Sequence, residues 1–230
     1  MKRHTRHIRA LATFGLSIGE GVRRRAALQR SCAALAARIV RASPVTTVVS
    51  GPSGSGKSTL LDSVRERAAA CGDRVVRVAE EGAGCVVGDG GEDWSTRPIV
   101  AMPGTTMPEA MGLLARVGLA DARLLGRTPG QLSAGERARF RLAMALRDAM
   151  EATERGETVW VLCDEFATGL DHETAVGVAL NAARIARGRA GLRLVVCTSD
   201  ERLVPVIGAA LEVRTRAGRG PVVMRRRGEP

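Results

Sequence analysis

The sequence predicts an α/β fold: a mostly parallel sheet flanked by helices. Three observations predict it. A β-branched run at 45–50 leads into a glycine-rich turn and then a helical stretch. A second apolar run, Val159-Trp160-Val161-Leu162-Cys163, ends in two carboxylates, Asp164 and Glu165. Around them strand-like runs alternate with helical ones, the order that builds parallel sheets through helical crossovers.

Taken in order, residues 7–19 are expected to form one or two short strands. Residues 22–41 alternate Arg with Ala, Leu and Ile at helical spacing and stop at Ser43-Pro44. Residues 45–50 are β-branched, a buried strand by type. Residues 57–70 read as a helix stopped by Gly72, and 74–79 as a second strand. Residues 82–96 are rich in Gly and Asp and read as a loop. Residues 98–102 read as a short strand, 108–117 as a helix, 123–130 as a loop and 134–153 as a long helix. Residues 158–163 read as a strand, 173–187 as a helix, 193–198 as a strand and 201–207 as a short helix. Residues 211–214 and 222–224 close the chain as strands. The chain divides into a basic strand and helix segment (1–43), the α/β domain (44–215) and a basic tail (216–230). No internal repeat interrupts it.

Composition sets limits. Hydrophobic residues make up 45% of the chain, enough for a full core, but aromatics only 2%, so Val, Leu, Ala and Ile must build it. The net charge of +11 is almost entirely Arg and favours acidic partners such as nucleic acid or an anionic membrane surface. A solvated arginine-rich surface, in a composition skewed like that of a GC-rich genome, is the other reading. The five cysteines, Cys32, Cys71, Cys85, Cys163 and Cys197, are odd in number and form no CxxC pair, which points to neither a disulfide framework nor a zinc site. Cys163 and Cys197 lie in apolar runs and read as small buried hydrophobes. A reducing, cytoplasmic setting fits. No apolar run reaches the ~18 residues that a membrane helix needs. The stretch at 10–18 is broken by Thr13, Gly15 and Ser17 and reads as no signal peptide. Any membrane part is expected from another chain.

Gly51-Pro52-Ser53-Gly54-Ser55-Gly56-Lys57-Ser58 fits the phosphate-binding pattern G-x-x-x-x-G-K-[ST] at every position, with a strand before it and a helix, opening at Lys57, after it. Its glycines let the backbone curl so that successive N–H groups face phosphate oxygens, and the helix N-terminus adds partial positive charge. Lys57 reaches the β- and γ-phosphates, the Ser58 hydroxyl suits Mg²⁺, and Thr59 continues the first helical turn. One of only two lysines in the chain stands where this pattern demands lysine.

In an α/β sheet, ligands sit beyond the carboxyl ends of the strands. Asp164 is therefore placed to hold Mg²⁺ and Glu165 to orient or deprotonate an attacking water. A third element, Leu132-Ser133-Ala134-Gly135-Glu136, opens the long helix. By itself it reads as a capping box, Ser133 at the N-cap and Glu136 three residues on. Gly169-Leu170-Asp171 follows the acidic pair.

This ordered set resembles the nucleotide-binding domains of ABC ATPases over about residues 45–200: the phosphate loop at 51–58, an LSGGQ-like signature at 132–136, the apolar strand and catalytic Glu at 159–165, and a D-loop at 167–171. The resemblance implies a P-loop NTPase fold binding ATP and Mg²⁺ through residues 51–59, with Ser58 and Asp164 at the metal. It implies a head-to-tail dimer, of two copies or of related ABC subunits, in which Ser133 and Gly135 of one copy cap the γ-phosphate held by the other, with Asp171 of the D-loop among the nucleotide-binding residues. The run 97–175 looks more narrowly like soluble ABC-type ATPases sometimes fused to an acetyltransferase-like domain.

The sequence departs from the family in several places. Ser199 stands where a switch His is expected. Ser donates one hydrogen bond to a γ-phosphate but carries no charge, so hydrolysis is expected to be slow. The Gln expected near 99–103 is missing, and no Tyr is present to stack on adenine; Phe14 is a poor candidate and Trp94 reads as a packed loop residue. His172 reads as an exposed helix-start residue, while His4 and His7 belong to the basic N-terminal arm. Only about 30 residues separate Met102 from Leu132, so the helical subdomain around the signature is reduced. These departures favour a soluble nucleotide-driven clamp, with nucleic acid contacted through Arg23–Arg25 and Arg225–Arg227. The alternatives are the ATP-binding subunit of a transporter with a separate permease chain, a slow or non-catalytic nucleotide module, and a P-loop kinase, which the signature and D-loop disfavour.

Overall fold

In the structure, a computed structural model that describes residues 18–78, 96–101, 106–217 and 219–226, the apolar runs become strands whose alternate residues feed two cores. Ile18–Ala42 (α1) leads to Thr46–Ser50 (β1), then Lys57–Ala70 (α2) and Arg74–Val78 (β2). Met107–Arg116 (α3), the single turn Ala122–Leu125 (α4) and Ala134–Glu154 (α5) follow, then Val159–Cys163 (β3), His172–Arg187 (α6) and Leu192–Thr198 (β4). The chain ends with Leu203–Ile207 (α7), Leu211–Arg216 (β5) and Arg219–Arg226 (β6).

The six strands form one sheet in the order β2-β3-β4-β1-β5-β6. Every pair is parallel except the last, where β6 runs antiparallel to β5. Side chains alternate across a strand, and the sequence exploits this fully. Val159, Val161 and Cys163 of β3, with Leu192, Leu194 and Val196 of β4, face α3, α5, α6 and α7. Trp160 and Leu162, with Val195 and Cys197, face α1 and α2. With few aromatics available, Trp160 is the largest fully buried side chain, and its indole N–H is satisfied by the Asp73 carboxylate at 2.9 Å.

Described parts of the basic N-terminal segment and the basic C-terminal tail pack on these layers. α1 turns Cys32, Leu35, Ala36, Ile39 and Val40 onto the same core as α2, at helical spacing. β6 extends the sheet as its edge strand, and Val223 packs on the α1 core. α1 starts at Ile18, so residues 18 and 19 are helical rather than strand; the remainder of the expected 7–19 strands lies outside the described residues, as does most of the 82–96 loop.

Residues 98–102, expected as a strand, form a 3-10 turn over Ile99–Ala101. Local bonds compete with pairing: Ile99 is buried, its amide donates to the Arg127 carbonyl at 2.8 Å, and the Ala101 amide closes back on Pro98. The 123–130 stretch, expected as a loop, holds α4 and a second 3-10 turn, Pro129–Gln131. Asp121 caps α4 by accepting from the Arg123 amide, and Gln131 folds back on the Thr128 amide, so each turn supplies its own missing partners. Among the described residues before α5, the connection holds α3, α4 and the two 3-10 turns.

Candidate functional site

The register of the central strands builds the site. Ser50 of β1 lies beside Thr198 of β4, and Val196 of β4 beside Cys163 of β3. β1 and β4 thus end level, while β3 stops two residues short, which carries Asp164 and Glu165 up to the height of Cys197 and Thr198. The glycine-rich turn leaves β1, Ser199 leaves β4, and Asp164 and Glu165 leave β3. At ~4.8 Å per strand the turn and the acidic pair stand about 10 Å apart, with Thr198–Ser199 between them.

The turn is pinned from below. Ser55 and Thr215, both buried, share a hydrogen bond of 2.6 Å between their hydroxyls, and the Thr215 hydroxyl also donates to the Ser50 carbonyl at 3.2 Å. A Cβ on Gly51 would stand 2.4 Å from both the carbonyl and the hydroxyl oxygen of Thr215, so only glycine fits there. Gly56, at φ 96°, opens α2 and rests on Leu28 of α1. The Lys57 ammonium, itself buried, donates to the carbonyls of Gly51 at 2.9 Å and Pro52 at 3.0 Å, closing the turn on itself. Pro52, Ser53, Gly54 and Ser58 are exposed and Thr59 is half-buried, so the outer rim and the first helical N–H groups are open to an anion.

On the far side of β4, alternation turns Asp164 to the same face as Trp160 and Leu162, the face that carries α2. Its side chain is 0% exposed. The Glu165 amide donates to Oδ1 at 3.0 Å, while Oδ2 is buried with no hydrogen-bond donor. The nearest cation is Arg77 of β2, at 3.6 Å, too far to donate. A desolvated carboxylate oxygen without a donor suits a divalent cation, and the exposed Ser58 hydroxyl supplies a second oxygen of the kind Mg²⁺ accepts. Among the described residues no three or more acidic, His or Cys side chains cluster as a metal cage. That fits an ion held chiefly by a phosphate ligand and water.

Glu165 is exposed and adopts φ 44°, and Ala167 adopts φ 63°. Two non-glycine residues in the left-handed region within three positions store roughly 1 kcal/mol or more each, a cost that collects at functional loops. The Cys197 thiol lies under the same loop, within 3.8 Å of the Lys57 carbonyl; burial pushes its pKa well above the ordinary range, as burial pushes that of Cys163 up to about 12. Both cysteines are inert packing, as their apolar runs predicted.

Ser133 and Gly135 stand elsewhere. Ser133 caps α5: its hydroxyl accepts from the Glu136 amide at 3.3 Å, and Glu136 accepts from the Ser133 amide at 2.7 Å, holding the Glu136 carboxyl below its ordinary pKa. Gly135 packs on Leu170, across a cavity of about 440 Å³ that also borders Asp164, Glu165, Arg139 and Arg141. Within one copy this helix start thus faces the acidic loop and its continuation, and Ser133 remains exposed. Asp171 caps α6, and hydrogen bonds from Thr174, chiefly its amide at 2.9 Å, hold its carboxyl below the ordinary value. His172 is exposed at the first position of α6, as expected. Ser199 is exposed beyond Thr198. Phe14, Trp94, His4, His7 and Cys85 lie outside the described residues.

Four residues of this site escaped the sequence reading: Thr215, Leu28, Arg77 and Asp62, the last a partner of Arg77 on α2. None sits in a motif: sheet order places Thr215 and Arg77, while Leu28 and Asp62 reach the site from α1 and α2.

No family model matches the sequence, and no curated protein does. Solved structures do. A dimeric ATP-binding cassette, MJ0796, in a post-hydrolysis state bound to ADP and phosphate, is 17% identical with a TM-score of 0.55, covering 81% of this chain and 87% of that one. The dimeric structure of MJ0796 described as a bacterial ABC transporter cassette is 19% identical with a TM-score of 0.54, again over 81% and 87%. This likeness shows the fold: the chain is built as an ATP-binding cassette is.

Proposed function

We propose that the chain is an ABC-type ATPase that binds Mg-ATP on residues 51–59 and hydrolyses it in a head-to-tail pair of copies. The observation that carries this reading is the register of three neighbouring strands, which brings the turn after Ser50 and the acids after Cys163 to one height beside Thr198. It sets a curled, pinned phosphate cradle and a buried, donor-less Asp164 oxygen on opposite sides of one strand. In this reading the turn's N–H groups and Lys57 bind the β- and γ-phosphates, Lys57 exchanging the Gly51 and Pro52 carbonyls for phosphate oxygens. Ser58 and Asp164 hold Mg²⁺, which neutralises charge on the transferred phosphoryl group. Glu165, exposed beyond the end of β3, orients the attacking water and accepts its proton. Ser199 donates one hydrogen bond toward the γ-phosphate and relays no proton, so turnover is slow.

Completion of the site by a second copy is supported by the position of Ser133 and Gly135. Their helix N-terminus is exposed and packs beside the acidic loop of its own chain, leaving it free to meet a phosphate held by another. Both cassettes it resembles are described as dimeric.

The role favoured for that dimer is a nucleotide-driven clamp in the cytoplasm, closing on nucleic acid. Ser31 of α1 packs against Gly220 of β6, so the arginines of the two chain ends belong to adjacent elements. Arg23, Arg24, Arg25, Arg30 and Arg219 are exposed there, and Arg225 and Arg226 end β6; Arg227 lies outside the described residues. Such a face suits a phosphate backbone read without sequence. An ATP-binding subunit serving a separate permease chain is the second reading, supported by the neighbour described as a transporter cassette. No helix among the described residues is long and apolar enough to cross a membrane, so that reading needs another chain for the spans.

Phosphate release from ATP, with and without double-stranded DNA, tests the proposal. Slow release that Lys57→Ala abolishes and DNA accelerates is expected. No ATP binding by the parent chain would overturn it, and ATPase activity indifferent to DNA at low salt would remove the clamp on nucleic acid and favour the permease partner.

A further inference from the structure

One guanidinium joins two parts of the site that the motifs leave separate. Arg77 is the penultimate residue of β2 and lies beside Leu162 of β3, two positions before Asp164. It shares a sheet face with Val75, the face covered by α2. Its Nη1 donates to Asp62 Oδ1 of α2 at 2.9 Å, and its Nη2 stands 3.6 Å from Asp164 Oδ2. Asp62 lies little more than one turn beyond Lys57 and faces a second arginine, Arg65, at 3.9 Å.

The two contacts differ in kind. The Asp62 bond is short and formed between half-exposed partners, with side chains 36% and 45% exposed. The Asp164 contact is longer than a hydrogen bond, yet its carboxylate is wholly desolvated, so it is felt chiefly as charge. A buried carboxylate needs a counter-charge. Arg77 supplies it without occupying the oxygen's lone pairs, and it keeps a second carboxylate within reach. At 3.6 Å this is an ion pair without a hydrogen bond, so the lone pairs of the buried Oδ2 stay uncommitted.

We infer that Arg77 is the resident counter-ion of Asp164 and gives way to the divalent cation when nucleotide is loaded, with Asp62 retaining the displaced guanidinium. Arg77 is thus a positioning residue that sets how tightly the cation is held. The inference rests on the nucleotide-site reading above. It has a direction: a positive charge beside a cation site weakens the site, so its removal tightens cation binding.

The test is Mn²⁺ binding to the full chain with ADP, followed by electron paramagnetic resonance, alongside metal-free ADP binding by calorimetry. Arg77→Gln should bind Mn²⁺ about tenfold more tightly, allowing for screening of a part-exposed charge, with metal-free ADP affinity unchanged. A purely structural link between β2 and α2 would lower stability without tightening Mn²⁺. Asp62→Asn, on an exposed carboxylate, keeps the question open to test if Arg77→Gln does not fold. It leaves the guanidinium wholly to Asp164, so Mn²⁺ should weaken by roughly threefold, an effect that disappears in the Arg77→Gln background where that double variant folds. Unchanged or weaker Mn²⁺ binding in Arg77→Gln, or unchanged or tighter binding in Asp62→Asn, overturns the inference. Failure of the parent to bind ADP overturns the nucleotide-site reading itself, and this inference with it.

Discussion

Thr215 is the sharpest point at which to perturb the site, because it lies outside every motif and yet pins the phosphate cradle. Thr215→Val keeps the volume and removes the hydroxyl. Two buried partners then lose a bond: the Ser55 hydroxyl at 2.6 Å and the Ser50 carbonyl at 3.2 Å. The pair is 1% and 2% exposed for Thr215 and Ser55, so water replaces neither bond. A buried polar group stripped of its partner costs about 1–3 kcal/mol. For a chain of this size that lowers Tm by roughly 2–4 °C per kcal/mol, about 2–12 °C in all. Binding should suffer too, since the cradle's ordering must then be supplied on association. If the whole loss falls on the nucleotide-bound state, ADP affinity drops by about 5–140-fold at 1.4 kcal/mol per factor of ten. Thermal unfolding and calorimetric titration with ADP measure both effects. Thr215→Ser, which keeps the hydroxyl, should recover most of the affinity. Parent-like stability and affinity in Thr215→Val would refute the reasoning; equal losses in both variants would assign the effect to the methyl group.

Two further outcomes follow from the same geometry. Ser133→Ala removes an N-cap and should cost about 1 kcal/mol, or 2–4 °C of Tm; a much larger loss in ATP-dependent association would mark a role beyond capping. Native alkylation should modify exposed Cys71 and spare buried Cys32, Cys163 and Cys197, as peptide mapping would show. The Cys163 pKa is raised from 9.0 to about 12 by burial, so the unfolded chain gives up that proton first. Stability from this group is full below pH 9, falls as pH rises toward 12, and should appear as a declining Tm across that window.

The site was legible where the chemistry is contiguous in sequence. The turn from Gly51 to Ser58, the helix Lys57–Ala70 and the acids after Cys163 fell where the residues placed them. Their meeting was not legible, because it depends on β4 lying between β1 and β3, a matter of strand order. Thr215 was invisible for a similar reason. In Leu211–Arg216 buried and half-buried residues alternate, and Thr there reads as an ordinary β-former until β5 is laid beside β1. Arg77 reads as one more arginine in an arginine-rich chain. The failed strand at 98–102 is the reverse case: Ile99 and Val100 favour strands, but a three-residue turn fixed by the Arg127 carbonyl won. At the chain ends the helix at 22–41 and the strand at 222–224 were legible, but not that their apolar stripes, Leu35, Ile39 and Val223 among them, pack on the core.

The most direct test of the account is ATP-dependent association of the purified chain by light scattering, comparing Glu165→Gln with Lys57→Ala. Without the Glu165 carboxylate, ATP should persist between two copies and hold them as a dimer, whereas without Lys57 the chain should stay monomeric. Monomers in both variants, with ATP still bound by the parent, would contradict completion of the site by a second copy.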